Sequence, residues 1–144
     1  MKAVRLLNAM IYVTNKALYT MIGNNSRTLS RLASKYIINY LYSQNILNKE
    51  KLNEEELKKA FINEMGLSDD LIFQENGSTV VLDVINPVLR ESIIQLNKEN
   101  IPITLAPCII YMYLISNLYG YKVEFQKVEY NEENNKTVWT FKKH

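Results

Sequence analysis

The sequence predicts an α+β domain, with helices packed on a small antiparallel sheet in the order ααα-ββ-αα-ββ. Three observations carry this. Residues 1 to 45 place apolar side chains at three-and-four spacing, the period of a helix. Two later stretches alternate apolar and polar residues on either side of turn formers, the period of a strand. The four glycines, at 23, 66, 77 and 120, all fall where a helix or hairpin has to stop. A chain of 144 residues that is 47% hydrophobic folds as one domain, residues 1–144, around a sizeable core that needs no cross-links. No long linker, internal repeat or low-complexity tract divides it.

The first helix carries the stripe Ala3, Leu7, Met10, Thr14, Leu18 and Met21, read here as its buried side, and ends at Gly23. Gly23 to Ser26 is a turn, and Ser26 or Thr28 caps the second helix. Leu29, Leu32, Ala33, Tyr36, Ile37, Tyr40 and Leu41 form the second helix's apolar side, with Arg27, Arg31 and Lys35 off it. Asn53 caps a third helix, where Glu54, Glu55 and Glu56 oppose the positive end of the helix dipole. Asn76-Gly77 between apolar runs predicts a type I′ hairpin. Asn86 and Pro87 then predict an N-cap and first turn, with Leu89, Ile93 and Leu96 facing inward. Thr104 to Tyr119 is apolar on every face, which places it at the centre of a core or in an oligomer interface. A last hairpin follows, with Trp139 and Phe141 on one side.

The inventory excludes much chemistry. The single cysteine, Cys108, excludes an internal disulfide or a CxxC site, and the single histidine, His144, is the last residue. Histidine-based catalysis and histidine metal sites are therefore not expected, and no carboxylate pair stands out for general acid–base work. We assign no catalytic residue, no metal and no cofactor. The longest apolar run, Leu105 to Ile115, falls short of the roughly 20 residues that span a bilayer, so a soluble, cytoplasmic protein is expected.

Charge is unevenly placed. Residues 1 to 45 contain six Lys or Arg and no Asp or Glu, so that segment carries +6 and the rest −4 of a net +2. A basic third of this kind faces nucleic acid, an anionic membrane, or the acidic remainder of its own fold or dimer partner. Three helices before a hairpin also suit a winged-helix layout, for which Arg27, Arg31 and Lys35 are the phosphate candidates. Cys108 reads as a small buried hydrophobe, a nucleophile or a pocket residue, since a helix start favours thiolate while burial opposes it. The clustered tyrosines, Tyr36, Tyr40 and Tyr42 and again Tyr111, Tyr113, Tyr119 and Tyr121, suit a pocket wall, a dimer interface or core packing.

Residues 105 to 141 resemble the 4-vinyl reductase (hydrocarbon-binding) domain superfamily, related to TRAPP vesicle-tethering subunits. Cys108 stands where that family has a helix cysteine, Gly120 where its helix ends, and Phe141 at its final-strand aromatic. The resemblance implies an α+β fold, a homodimer, and a hydrophobic or acyl ligand held between helices and sheet, often to control a partner. Taken with the apolar fifth helix and the clustered tyrosines, this gives as pocket candidates Cys108, Tyr111, Met112, Tyr36, Tyr40 and Trp139. Where the family carries hairpin cysteines this chain has Tyr130 or Asn131 and Trp139, which cannot make that family's metal site, and bulky Ile109, Ile110 and Tyr111 follow Cys108.

Overall fold

A computed structural model describes residues 2–47 and 53–144. Helix α1 (Lys2–Ile22) leads through a short 3-10 turn into α2 (Ser26–Ser43). Helix α3 (Glu54–Lys58) continues as a turn of π-helix over Lys59–Glu64. Hairpin β1 (Asp70–Asn76) and β2 (Thr79–Ile85) precedes α4 (Arg90–Lys98) and α5 (Cys108–Tyr119), and hairpin β3 (Val123–Asn131) and β4 (Lys136–Lys143) closes the domain. The four strands form one antiparallel sheet in the order β1-β2-β4-β3, so the α+β class and the element order hold.

The sheet buries one face. Val80, Leu82 and Val84 on β2 and Thr137, Trp139 and Phe141 on β4 alternate inward, with Leu82 paired to Trp139 across the ladder. Against that face lies α5, whose Cys108, Ile109, Ile110, Tyr111, Leu114 and Ile115 are all buried. Of the two places expected for an all-apolar helix, it takes the centre of the core. Gly120 ends it at φ 80°, a left-handed position that costs glycine least.

Several local expectations shift. Asn53 does cap α3, accepting from the Glu56 amide at 2.8 Å. The first hairpin instead pairs Asn76 with Thr79, which leaves Gly77 and Ser78 as its loop. Only Gly77 has positive φ, the type II′ pattern rather than type I′. Asn86 is no helix cap: it takes φ 50° and joins Asp69 and Asn135, and α4 starts only at Arg90.

The largest correction concerns which side of α1 and α2 faces inward. Among the described residues, nine of the ten large exposed hydrophobics lie on these two helices: Leu6, Leu7, Met10, Val13 and Met21 on α1, and Leu29, Leu32, Tyr36 and Tyr40 on α2. The stripes exist as the spacing predicts, but apart from Leu41, which turns in, their large side chains point mostly outward. Inward on α1 come Asn8, Ile11 and Asn15, and inward on α2 come Ser26, Ser30, Ile38 and Leu41.

Hydrogen bonding supplies the physical reason. The Asn8 amide donates to the Val88 carbonyl at 2.9 Å and its Oδ1 accepts from the Ser92 amide at 3.0 Å, capping α4, which has no cap of its own. Asn15 is fully buried: its Oδ1 accepts from the amides of Thr104 and Leu105, both at 3.1 Å, and its Nδ2 donates to the Ile11 carbonyl at 2.8 Å. Farther along, Lys16 Nζ and the Tyr12 hydroxyl both donate to Glu99, at 2.7 and 2.6 Å.

Two outcomes follow. Replacing Asn15 with Leu strands two amides, each worth about 1–3 kcal/mol when left unmet, so urea unfolding should show a loss of about 3 kcal/mol. If the apolar stripe faced the core instead, the same change would be neutral or stabilising. Hydrogen bonds from Lys16, then Tyr12 and Gln95, lower the Glu99 pKa from 4.5 to about 2. A depressed carboxylate stabilises fully above its unfolded value and loses that effect as pH falls toward its folded one. Unfolding titrations of Glu99→Gln should therefore show a shallower fall in stability from pH 4.5 to 2 than the unaltered chain, and parallel curves would sink the assignment.

Candidate functional site

The site begins with the inward face of α2. Arg27, Ser30, Arg31 and Ser34 follow one another at helical spacing on that side, and only beyond them does the face become apolar, at Ile38 and Leu41. Serines are too small to fill the space that Ile38 and Leu41 fill one turn later. An open cleft of about 670 Å³ results, walled by α2, by α5 and by the start of β3.

Its floor is apolar. Ile103, Cys108, Ile109, Met112, Val123 and Phe125 line it, and the Cys108 thiol donates to the Met112 sulfur at 3.7 Å. Phe125 also joins the aromatic cluster behind the floor, 5.6 Å from Trp139 and 6.1 Å from Phe141 between ring centres. The rim is basic: Arg27, Arg31 and Lys35 from α2, Lys122, and His144 at the end of the chain. Arg27 donates to Glu124 at 2.7 Å, and His144 lies 3.6 Å from the other oxygen of the same carboxylate. Tyr113 lines the far side and bonds Tyr42 hydroxyl to hydroxyl at 3.0 Å, which ties α5 to the C-terminal part of α2.

The sequence-derived candidates divide. Cys108 and Met112 line the cleft, and so do Arg27, Arg31 and Lys35, which sequence reasoning had set aside for a different role. Tyr111 and Trp139 do not: they are buried behind the floor, edge to face at 5.0 Å, with the indole N–H donating to Thr137. Tyr36 and Tyr40 do not either, because they stand about half a turn around α2 from the cleft and are exposed. Thr104, Ser30 and Ser34 were missed as lining residues. For the serines the signal was their recurrence every four positions (Ser26, Ser30, Ser34) along one edge of the second helix's apolar stripe, beside Ala33 and Ile37.

Burial pushes the Cys108 thiol well above its usual range, and the Arg27 charge pulls back only weakly. A neutral thiol in an apolar floor is a packing surface rather than a nucleophile. Among the described residues no cluster of His, Cys, Asp and Glu could hold a metal ion. Asp83 is paired to Lys136 at 3.0 Å and Asp70 to Lys58 at 3.2 Å, both away from the cleft. No helix among the described residues is long and apolar enough to cross a membrane.

No family model matches the chain, and no solved structure matches it. Its sequence is similar to the Uncharacterized protein MJ0758 of Methanocaldococcus jannaschii, with 36% identity over 114 residues that cover 79% of this chain and 69% of that protein. The chain belongs to the MJ0758 family. At that coverage the shared region includes most of the α+β domain, so family membership concerns the domain as a whole rather than one motif.

Proposed function

We propose that the protein is a non-enzymatic regulatory binding module that takes a hydrophobic small molecule, of hydrocarbon or acyl type, in the cleft between α2, α5 and β3. The apolar floor of Ile103, Cys108, Ile109, Met112, Val123 and Phe125 carries this reading. A cleft of about 670 Å³ lies in the range of small-molecule sites, which combine an apolar lining with a few polar groups. The resemblance of residues 105 to 141 to 4-vinyl reductase domains supports the same ligand class, with Cys108 in the floor. A nucleic-acid role would draw on Arg27, Arg31 and Lys35. These residues stand on a concave wall across from α5, and Arg27 is engaged by Glu124, an arrangement that suits a small ligand better than a duplex backbone.

The homodimer is part of the proposal, with its surface moved. Since α5 is buried within one chain, the second copy docks on the outward stripe of α1, where Ala3, Leu7, Met10, Thr14, Ala17 and Met21 keep coiled-coil spacing. Antiparallel pairing about a two-fold axis near Tyr12 sets large against small along this seam: Leu7 meets Ala17, Met10 meets Thr14, and Met21 meets Ala3.

Native mass spectrometry of protein from a lipid-containing host should show an added mass of a few hundred daltons that is lost on denaturation, and Met112→Trp, which fills the cleft, should remove it. A chain that carries no such mass and instead shifts duplex DNA with steep salt dependence would replace the ligand reading with the nucleic-acid one. Light scattering should give a dimer for the unaltered chain and a folded monomer for Leu7→Lys with Met10→Lys. A monomer for the unaltered chain would remove the interface.

A further inference from the structure

We infer that the molecule held in this cleft is an anionic amphiphile, an apolar chain that ends in a carboxylate or phosphate group, with the head at Arg31, Lys35 and Lys122. The inference rests on the cleft being a hydrophobic small-molecule site and adds the charge of the head group.

The first argument is the charge left over. Glu124 faces Arg27 and His144, and among the described residues it is the one Asp or Glu side chain that lines the cleft. Arg31, Lys35 and Lys122 border the same space, and none of them has a carboxylate partner among the described residues. Residues 1 to 45 cannot supply one, because they contain no Asp or Glu. Three like charges around a concave apolar floor repel one another, and low-dielectric walls concentrate their field on whatever enters. An entering anion removes that repulsion, and a guanidinium accepts a carboxylate or phosphate through two parallel hydrogen bonds. A neutral hydrocarbon would leave the rim as it stands.

The second argument is independent of charge. Thr104 lines the cleft at 5% exposure, and its hydroxyl is buried with no hydrogen-bond partner among the described residues. Its position is fixed, since its own amide is held by Asn15. An enclosed hydroxyl with no partner is a cost that an oxygen brought against it, from a water or from a ligand, relieves. An oxygen-bearing head group supplies one, whereas a pure hydrocarbon cannot.

Calorimetric titration with dodecanoate and dodecyl phosphate below their micellar concentrations, and with dodecanol below its solubility limit, tests this. We expect either acid to bind about tenfold to a hundredfold more tightly than the alcohol, the tighter of the two naming the head. In the triple variant Arg31→Gln, Lys35→Gln, Lys122→Gln that preference should vanish while dodecanol binds as before, and added salt should weaken only the acids. Equal binding of alcohol and acids to the unaltered chain would overturn the head-group assignment and leave the hydrophobic site standing. Binding of none of the three would overturn both. The three substituted side chains are exposed, and circular dichroism of the variant checks that the fold is kept.

Discussion

Two buried asparagine side chains, one turn pair apart on α1, set the arrangement of the helices. Asn8 caps α4 and Asn15 holds the segment that leads into α5, so one face of one helix fixes the starts of two others. The energetics explain why the apolar face does not simply win over this one. Turning the stripe of Leu7 and Met10 inward would gain about 1.5–3 kcal/mol per side chain. It would also strand the Ser92, Thr104 and Leu105 amides and bury nothing polar in return, at about 1–3 kcal/mol for each. The two sums are comparable, and the outward stripe becomes available to a second copy. The proposed dimer would collect both terms.

The cleft follows from a similar choice on α2. Its inward face is small and polar over Ser30 and Ser34, and large and apolar over Ile38 and Leu41. Space opens where the serines are and closes where the aliphatics begin. Because basic residues flank those serines, the cavity inherits a cationic rim without any dedicated loop. Cys108 and Met112, two of the six pocket candidates, and Arg27, Arg31 and Lys35, the phosphate candidates, border one space.

What was legible in the sequence is what is decided locally. The Asn53 cap, the Gly120 stop and the strand alternation around Trp139 depend on neighbours a few residues away, and they stand as read. Periodicity also located both helical stripes, but it gives a direction around the helix axis and not the sense of that direction relative to the core. That sense is decided by partners far along the chain: Asn8 by Ser92 and Asn15 by Thr104, separations of 84 and 89 residues. Tyr36 and Tyr40 were misplaced for this reason, and Trp139 for another. It alternates inward as read, but inward here means the aromatic cluster with Tyr111 and Phe125, one layer behind the cleft.

The same reasoning says which wall of the cleft can give. At its C-terminal end α2 is held by buried Ile38 and Leu41 and by the Tyr42–Tyr113 hydroxyl pair. Side chains of that kind contribute about 1.5–3 kcal/mol each. At its N-terminal end the connection to β3 is the Arg27–Glu124 pair, with side chains 53% and 38% exposed, beside a Ser26 hydroxyl that is buried without a partner among the described residues. An exposed ion pair is worth about 0–1 kcal/mol. The two ends of the helix are therefore held unequally, and the weaker end borders the cleft. A ligand whose head group draws on the basic rim acts on the end that yields most readily, while the buried end keeps α2 in register with α5.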